Sequence, residues 1–138
     1  MYKTKITYKD VNGDKITKEL CFCLSRIDIL MASRSKDTDF DIIVNDMNNE
    51  KDSNKLMQIF NKVLKQSYGE LSSDGVEFIK NEEIWKRFKD SKAYEVMCKE
   101  FLEDTNKITK FMKAILPKEV HNLINIKCVS KKEIKDNV

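Results

Sequence analysis

The sequence predicts an α+β fold: an N-terminal β-hairpin followed by a mainly α-helical bundle of four to five helices. Three observations carry this. Residues 2–9 and 16–24 alternate apolar and polar side chains on either side of Asn12-Gly13. From residue 54 onward, apolar side chains recur every three or four positions in successive blocks. Glycine and proline number only 3 and 1 in 138 residues, which leaves little material for β-rich folds dense in turns.

The hairpin comes first. A two-residue Asn-Gly turn would put Ile6 opposite Glu19 and mix the two faces. A three-residue loop, Val11-Asn12-Gly13, puts Tyr8 opposite Ile16, Thr4 opposite Leu20 and Tyr2 opposite Phe22. That register gathers the apolar residues on one face, with Gly13 in the left-handed position of a bulge. Lone hairpins are marginal, so the face must pack on helices or on strands of another copy.

Ser25 is suited to N-cap a short helix to about Arg34, with Ile27, Leu30 and Met31 inward and Asp28 at N3. Residues 37–54 follow as an acidic loop with a local charge of −5, in which Phe40, Ile42, Ile43 and Val44 form a short strand or a loop anchor. Residues 54–68 read as an amphipathic helix capped by Asn54 or Ser53, with Gly69 in the left-handed position after it. Ser72-Ser73-Asp74-Gly75 makes a turn.

Three further helices are expected over 81–89, 91–103 and 105–116. Their apolar faces carry Ile84, Trp85 and Phe88; then Tyr94, Met97, Cys98, Phe101 and Leu102; then Ile108, Phe111, Met112 and Ile115. Pro117 stops the last one. The expected organisation is one domain, 1–117, comprising hairpin 1–24, short helix 25–36, acidic loop 37–54 and helical bundle 55–117. A partly flexible extension, 118–138, ends in a polar, frayed stretch from Ser130.

Composition excludes several function classes. Lys+Arg is 26 and Asp+Glu 23, a net charge of +3, and no segment exceeds +4. This predicts no nucleic-acid partner. The longest apolar run, Leu20–Leu24, is five residues, so no membrane partner is predicted and the expected compartment is the cytosol. Cys21, Cys23, Cys98 and Cys128 lack CxxC spacing and read as reduced thiols without metal.

One histidine, His121, cannot build a triad or a multi-His site, and reads as a surface or helix-end residue. Asp37, Asp39 and Asp41 open like a calcium loop, but Ile42 and Asn48 stand where glycine and a bidentate glutamate are needed. Glu82 and Glu83 complement a helix dipole. No phosphate-binding or nucleophile motif is present, so neither an enzyme nor a cofactor is expected.

The middle of the chain carries a resemblance. Ser67-Tyr68-Gly69-Glu70, Ser73-Asp74-Gly75, Phe78-Ile79-Lys80, Phe88, Ala93-Tyr94, Phe111 and Ile115-Leu116-Pro117 follow one another over residues 55–117. This order and spacing resembles the tail assembly chaperones of long-tailed phages and of the prophages of Gram-positive bacteria. The acidic insert at 37–54 and the segment after Pro117 fall outside the resemblance.

The resemblance implies a non-enzymatic protein of the infected or lysogenic cell. It would bind the tape measure protein, keep it soluble and help recruit tail tube protein. The exposed edge of the hairpin offers a second contact, by strand pairing between copies. Lys3, Lys5 and Lys9 would instead blunt the hairpin edge against such pairing. The partner-binding residues expected near the SYGE-to-FIK connection are Tyr68, Phe78, Trp85 and Phe88. The competing expectation for Tyr68 and Phe78 is that they pin this connection onto the bundle. The competing function is a small helical DNA-binding or regulatory protein of a mobile element, motivated by the consecutive helices over 81–116.

Overall fold

A computed structural model describes residues 1–127. In chain order the elements are β1 (Tyr2–Lys9), β2 (Lys15–Phe22), α1 (Arg26–Ala32), α2 (Phe40–Asn49) and α3 (Ser53–Ser67). Then come β3 (Tyr68–Leu71), β4 (Phe78–Ile79), α4 (Glu82–Lys89), α5 (Lys92–Glu103), α6 (Asn106–Ile115) and a 3-10 helix (Lys118–Leu123). The architecture is α+β, an N-terminal antiparallel hairpin followed by several helices. The four strands form one antiparallel sheet in the order β1-β2-β3-β4.

The β1–β2 register pairs Tyr2 with Phe22, Thr4 with Leu20 and Tyr8 with Ile16, as the apolar face requires. The Asp10 carboxylate accepts from the Asn12 and Asp14 amides, both at 2.9 Å, and Gly13 sits at φ +84°. Ile6, Leu20 and Phe22 are buried, and α5 and α6 pack against β1. Phe22 is the hub of the core: its ring meets Phe111 at 5.0 Å, Tyr68 at 5.4 Å, and Tyr2 and Phe88 at 6.3 Å each. Edge-to-face packing of this kind adds to the burial of the rings themselves.

Four local expectations are corrected. First, α1 has the predicted cap, with Ser25 Oγ accepting from the Asp28 amide at 3.0 Å and Asp28 Oδ2 from the Ser25 amide at 2.8 Å. Its rotation is not the expected one. Ala32 and Ile29 face the core, while Ile27, Leu30 and Met31 are 70%, 65% and 52% exposed. The cause is Lys80, whose Nζ lies 2.6 Å from Asp28 Oδ2 and turns that side of the helix inward.

Second, residues 40–49 are helical, where the acidic stretch reads as a loop or a short strand. Phe40, Ile43, Val44 and Met47 fall at i, i+3, i+4 and i+7 and are all buried. Asp39 caps this helix by accepting from the Asp41 amide at 2.9 Å. Third, α3 starts from a cap on Asp52, not on Ser53 or Asn54, and ends at Ser67.

Fourth, Gly69 is not a left-handed helix terminus. It lies in β3 opposite Cys21, and only Gly13 and Gly75 have positive φ among the described residues. The reason for glycine is closeness: a Cβ at position 69 would lie 2.6 Å from the Ile79 carbonyl oxygen and 2.6 Å from the Phe78 ring. The Ser72–Gly75 turn joins β3 to β4, with Gly75 at φ +73° and Asp74 Oδ1 accepting from Ser72 Oγ at 2.5 Å and from the Val76 amide at 3.0 Å.

Helices α4, α5 and α6 bury the predicted residues Ile84, Trp85, Phe88, Met97, Phe101, Ile108, Phe111, Met112 and Ile115. After Pro117 the chain packs back on the body. Ile124 is buried, and Asn48 donates to the Leu123 carbonyl at 2.6 Å and accepts from the Asn125 amide at 2.7 Å. Cys128 and the end expected to fray from Ser130 lie outside the described residues. Among the described residues, no helix is long and apolar enough to cross a membrane.

Candidate functional site

The junction of α3, β3 and α4 is assembled by one lysine. Lys80 Nζ donates to the Cys23 carbonyl at 3.1 Å, the Gln66 carbonyl at 3.1 Å and Asp28 at 2.6 Å. It thereby ties the end of the hairpin, the last turn of α3 and the first turn of α1 to the strand that leads into α4. Burial by itself would raise the Asp28 carboxyl. The Lys80 hydrogen bond and the Ser25 amide outweigh that and hold it below the ordinary carboxylate range.

Beside this knot opens a cleft of about 590 Å³, lined by Tyr68 and Trp85 together with Lys62, Lys65, Lys80 and Glu82. Tyr68 and Trp85, at 6.5 Å between ring centroids and both buried, form its floor. Phe88 stacks under Tyr68 at 3.9 Å and 11°, and Tyr94 closes the cluster edge-on to both Trp85 and Phe88. The Tyr94 hydroxyl donates to Asn61 on α3. Burial pushes the Tyr68 phenol well above its ordinary range, with Glu70 and Cys21 adding to the effect, so the hydroxyl stays protonated.

The rim is charged and loosely held. Lys62 approaches Asp37 at 4.0 Å, and Lys65 approaches Glu82 at 3.3 Å. Such exposed pairs contribute little to stability and are readily exchanged for a partner's charges.

Of the four residues expected at the site, Tyr68, Trp85 and Phe88 come together. Tyr68 and Trp85 line the cleft, while Phe88 lies beneath Tyr68 and is fully buried. Phe78 is set apart on β4 opposite Leu71, half-buried, with its ring over Gly69. The rim residues Lys62 and Lys65 escape sequence reasoning because a lysine on the polar face of a helix is ordinary. Lys80 stands inside the Phe78-Ile79-Lys80 motif, but nothing local announces its three acceptors.

Elsewhere the acidic and thiol groups have structural surroundings. His121 Nε2 contacts the Leu116 carbonyl at 2.9 Å in the 3-10 helix. Glu82 and Glu83 occupy the first turn of α4, behind the Asn81 cap. Cys21, Cys23 and Cys98 are free thiols, and burial pushes Cys21 and Cys98 up. Among the described residues, no group of three or more His, Cys, Asp or Glu side chains is placed to hold a metal ion.

Compared with known proteins, residues 1–137 match the family model described as phage tail assembly chaperone. No curated protein and no solved structure matches the chain.

Proposed function

We propose, for a chain that belongs to the phage tail assembly chaperone family, that it binds the tape measure protein, keeps it soluble and helps recruit tail tube protein without catalysing a reaction. The observation that carries this reading is the family match over nearly the whole length, residues 1–137. The cleft supports it physically. A cleft floored by the buried rings of Tyr68 and Trp85 and rimmed by exchangeable ion pairs suits a long helical client that is held mainly at the rim and must later be released. Moderate affinity per copy, repeated along such a client, gives firm retention through avidity while each contact stays reversible. This action takes place in the cytoplasm of the host bacterial cell, where tails are assembled.

Co-expression with the tape measure protein tests the reading. The expected result is a larger soluble fraction of that protein and a complex that elutes together. Trp85 is 6% exposed, so Trp85→Ala is paired with the surface variant Lys62→Glu/Lys65→Glu, and thermal melting is followed for both. Reduced client binding by the lysine variant with unchanged melting supports the cleft as the binding surface. Full client binding by that variant moves binding off the cleft. An insoluble tape measure protein with no complex refutes the proposed role.

A further inference from the structure

β1 stands at one end of the strand order, with β2 on one side and no strand on the other. Antiparallel strands alternate residues that bond their neighbour with residues whose N–H and C=O point away from it. The Asp10 amide donates to the Asp14 carbonyl at 2.9 Å, which fixes the phase: Lys9, Thr7, Lys5 and Lys3 point their main-chain groups away from β2. The far side of β2 gives the same phase. The Cys23 amide donates to the Ser67 carbonyl at 2.8 Å, so Cys21 bonds β3 and its partner Lys3 faces outward. All four residues are exposed, and no turn, loop or side-chain hydrogen bond among the described residues uses these groups. Such an edge defines its own occupant, because an extended chain is what offers donors and acceptors at the matching spacing.

The side chains along the edge say which extended chain. Lys3, Lys5, Thr7 and Lys9 share the solvent face of the hairpin with Lys15, Thr17, Glu19 and Cys21 across from them, four cations against one acid. None of these lysines forms an ion pair among the described residues. Asp10 and Asp14 lie at the turn, past the end of the strand, and the Asp10 carboxylate already accepts from two amides. On the opposite face, Tyr2, Thr4 and Ile6 border a cavity of about 240 Å³ shared with Met97 and Phe101. No β2 residue lines it, so it lies along the free edge, and its charged residues, Lys107, Lys110 and Glu100, again favour cations. An incoming strand therefore meets lysines on one face and an apolar recess on the other. A second copy of β1 is a poor occupant. Every antiparallel register of useful length sets Lys3 against Lys5 or Lys9, Lys5 against Lys9, or a lysine against itself, and like charges directly opposite destabilise a pair.

We infer that the free edge of β1 receives an extended segment of a partner protein, one that alternates acidic with apolar side chains and joins the sheet beside β1. Its main chain bonds Lys3, Lys5, Thr7 and Lys9, its carboxylates pair with the lysines, and an apolar side chain enters the recess beside Tyr2 and Ile6. None of these residues lines the cleft between α3 and α4, so the site goes beyond the proposed tape measure contact.

The test uses the full chain and labelled designed peptides of about nine residues. Two of them alternate isoleucine with glutamate or with lysine. Two more are the glutamate peptide N-methylated on one or the other alternate set of amides. Fluorescence anisotropy should show the glutamate peptide binding about tenfold or more tightly than the lysine peptide. One methylated version should lose binding and the other keep it, as a strand bonded by one edge requires. Lys3→Glu/Lys9→Glu should weaken the glutamate peptide by a similar factor and reduce the preference between the two. Both positions are exposed and lie opposite Cys21 and Lys15, so no like-charge pair is created and melting should not change. The inference is overturned if neither peptide binds, if both bind equally, if the two methylated versions behave alike, or if the charge variant leaves binding intact. A dimer in sedimentation that the charge variant alters would give the edge to a second copy and overturn it as well. Because the probes are designed peptides, failure here leaves the tape measure reading standing, and failure of that reading leaves this one standing.

Discussion

Replacing Lys80 by methionine keeps the stem and removes three donors at once. The Cys23 and Gln66 carbonyls and the Asp28 carboxylate each lose a partner at 2.6–3.1 Å. A neutral hydrogen bond is worth about 1 kcal/mol net, and one to a charged group about 1.5–3 kcal/mol. Water can replace part of this, since the side chains of Lys80 and Asp28 are 24% and 35% exposed. The discounted expectation for Lys80→Met is a loss of about 2–3 kcal/mol. For a chain of this size that lowers Tm by roughly 6–10 °C. Urea unfolding at pH 7, followed by the fluorescence of Trp85, measures it. A double-mutant cycle with Asp28→Asn isolates the ion pair, because the two losses should fall short of additivity. A loss below about 1 kcal/mol, or strict additivity with Asp28→Asn, would refute the idea that Lys80 holds the three elements together.

Four other perturbations follow from the same structure. The Asp28 carboxyl is held below its unfolded value of 3.8, so its contribution is full above that pH and is lost as pH falls through the lower folded value. Acid titration of stability should therefore be steeper below pH 3.8 for the natural chain than for Lys80→Met, and parallel curves would contradict this. Gly69→Ala should cost about 2–3 kcal/mol in a urea melt, because the Ile79 carbonyl is backbone and cannot yield. Gly75→Ala, where nothing lies within 4 Å, should cost only the left-handed backbone strain of about 1 kcal/mol. Phe111→Ala should cost about 3–5 kcal/mol by the same melt, since its buried ring meets Tyr2, Phe22 and Phe60 within 5.0 Å. A cost under 1 kcal/mol would mean that the aromatic core is not continuous there.

Periodicity was a good guide wherever a single face decided the matter. The hairpin register and helices α3 to α6 follow from apolar spacing alone, because one slip would put Phe22 or Phe111 in water. The sequence misled where a long-range contact decided. Ile27, Leu30 and Met31 make as good an inward stripe as Ile29 and Ala32, and the choice belongs to Lys80, 52 residues further on. The α2 stripe was legible in principle, since Met47 completes the spacing begun by Phe40, but the surrounding acids mask it. Gly69 imitates a helix terminus after Tyr68, and only the return of β4 shows what excludes a side chain there. At the candidate site, Tyr68, Trp85 and Phe88 of the four expected residues form one aromatic group and Phe78 stands apart on β4, whereas the lysine rim is indistinguishable from any solvated helix face.

The sheet joins distant parts of the chain, and this sets a timetable for the ribosome. Phe22 pairs with Tyr68 across β2 and β3, and its ring needs Phe111 to be covered. The N-terminal hairpin therefore emerges during translation with its greasy side open, and it stays open until α6 has left the exit tunnel. A nascent chain halted ahead of Phe111 would display Tyr2 and Phe22 to passing holdases, and the finished chain would not.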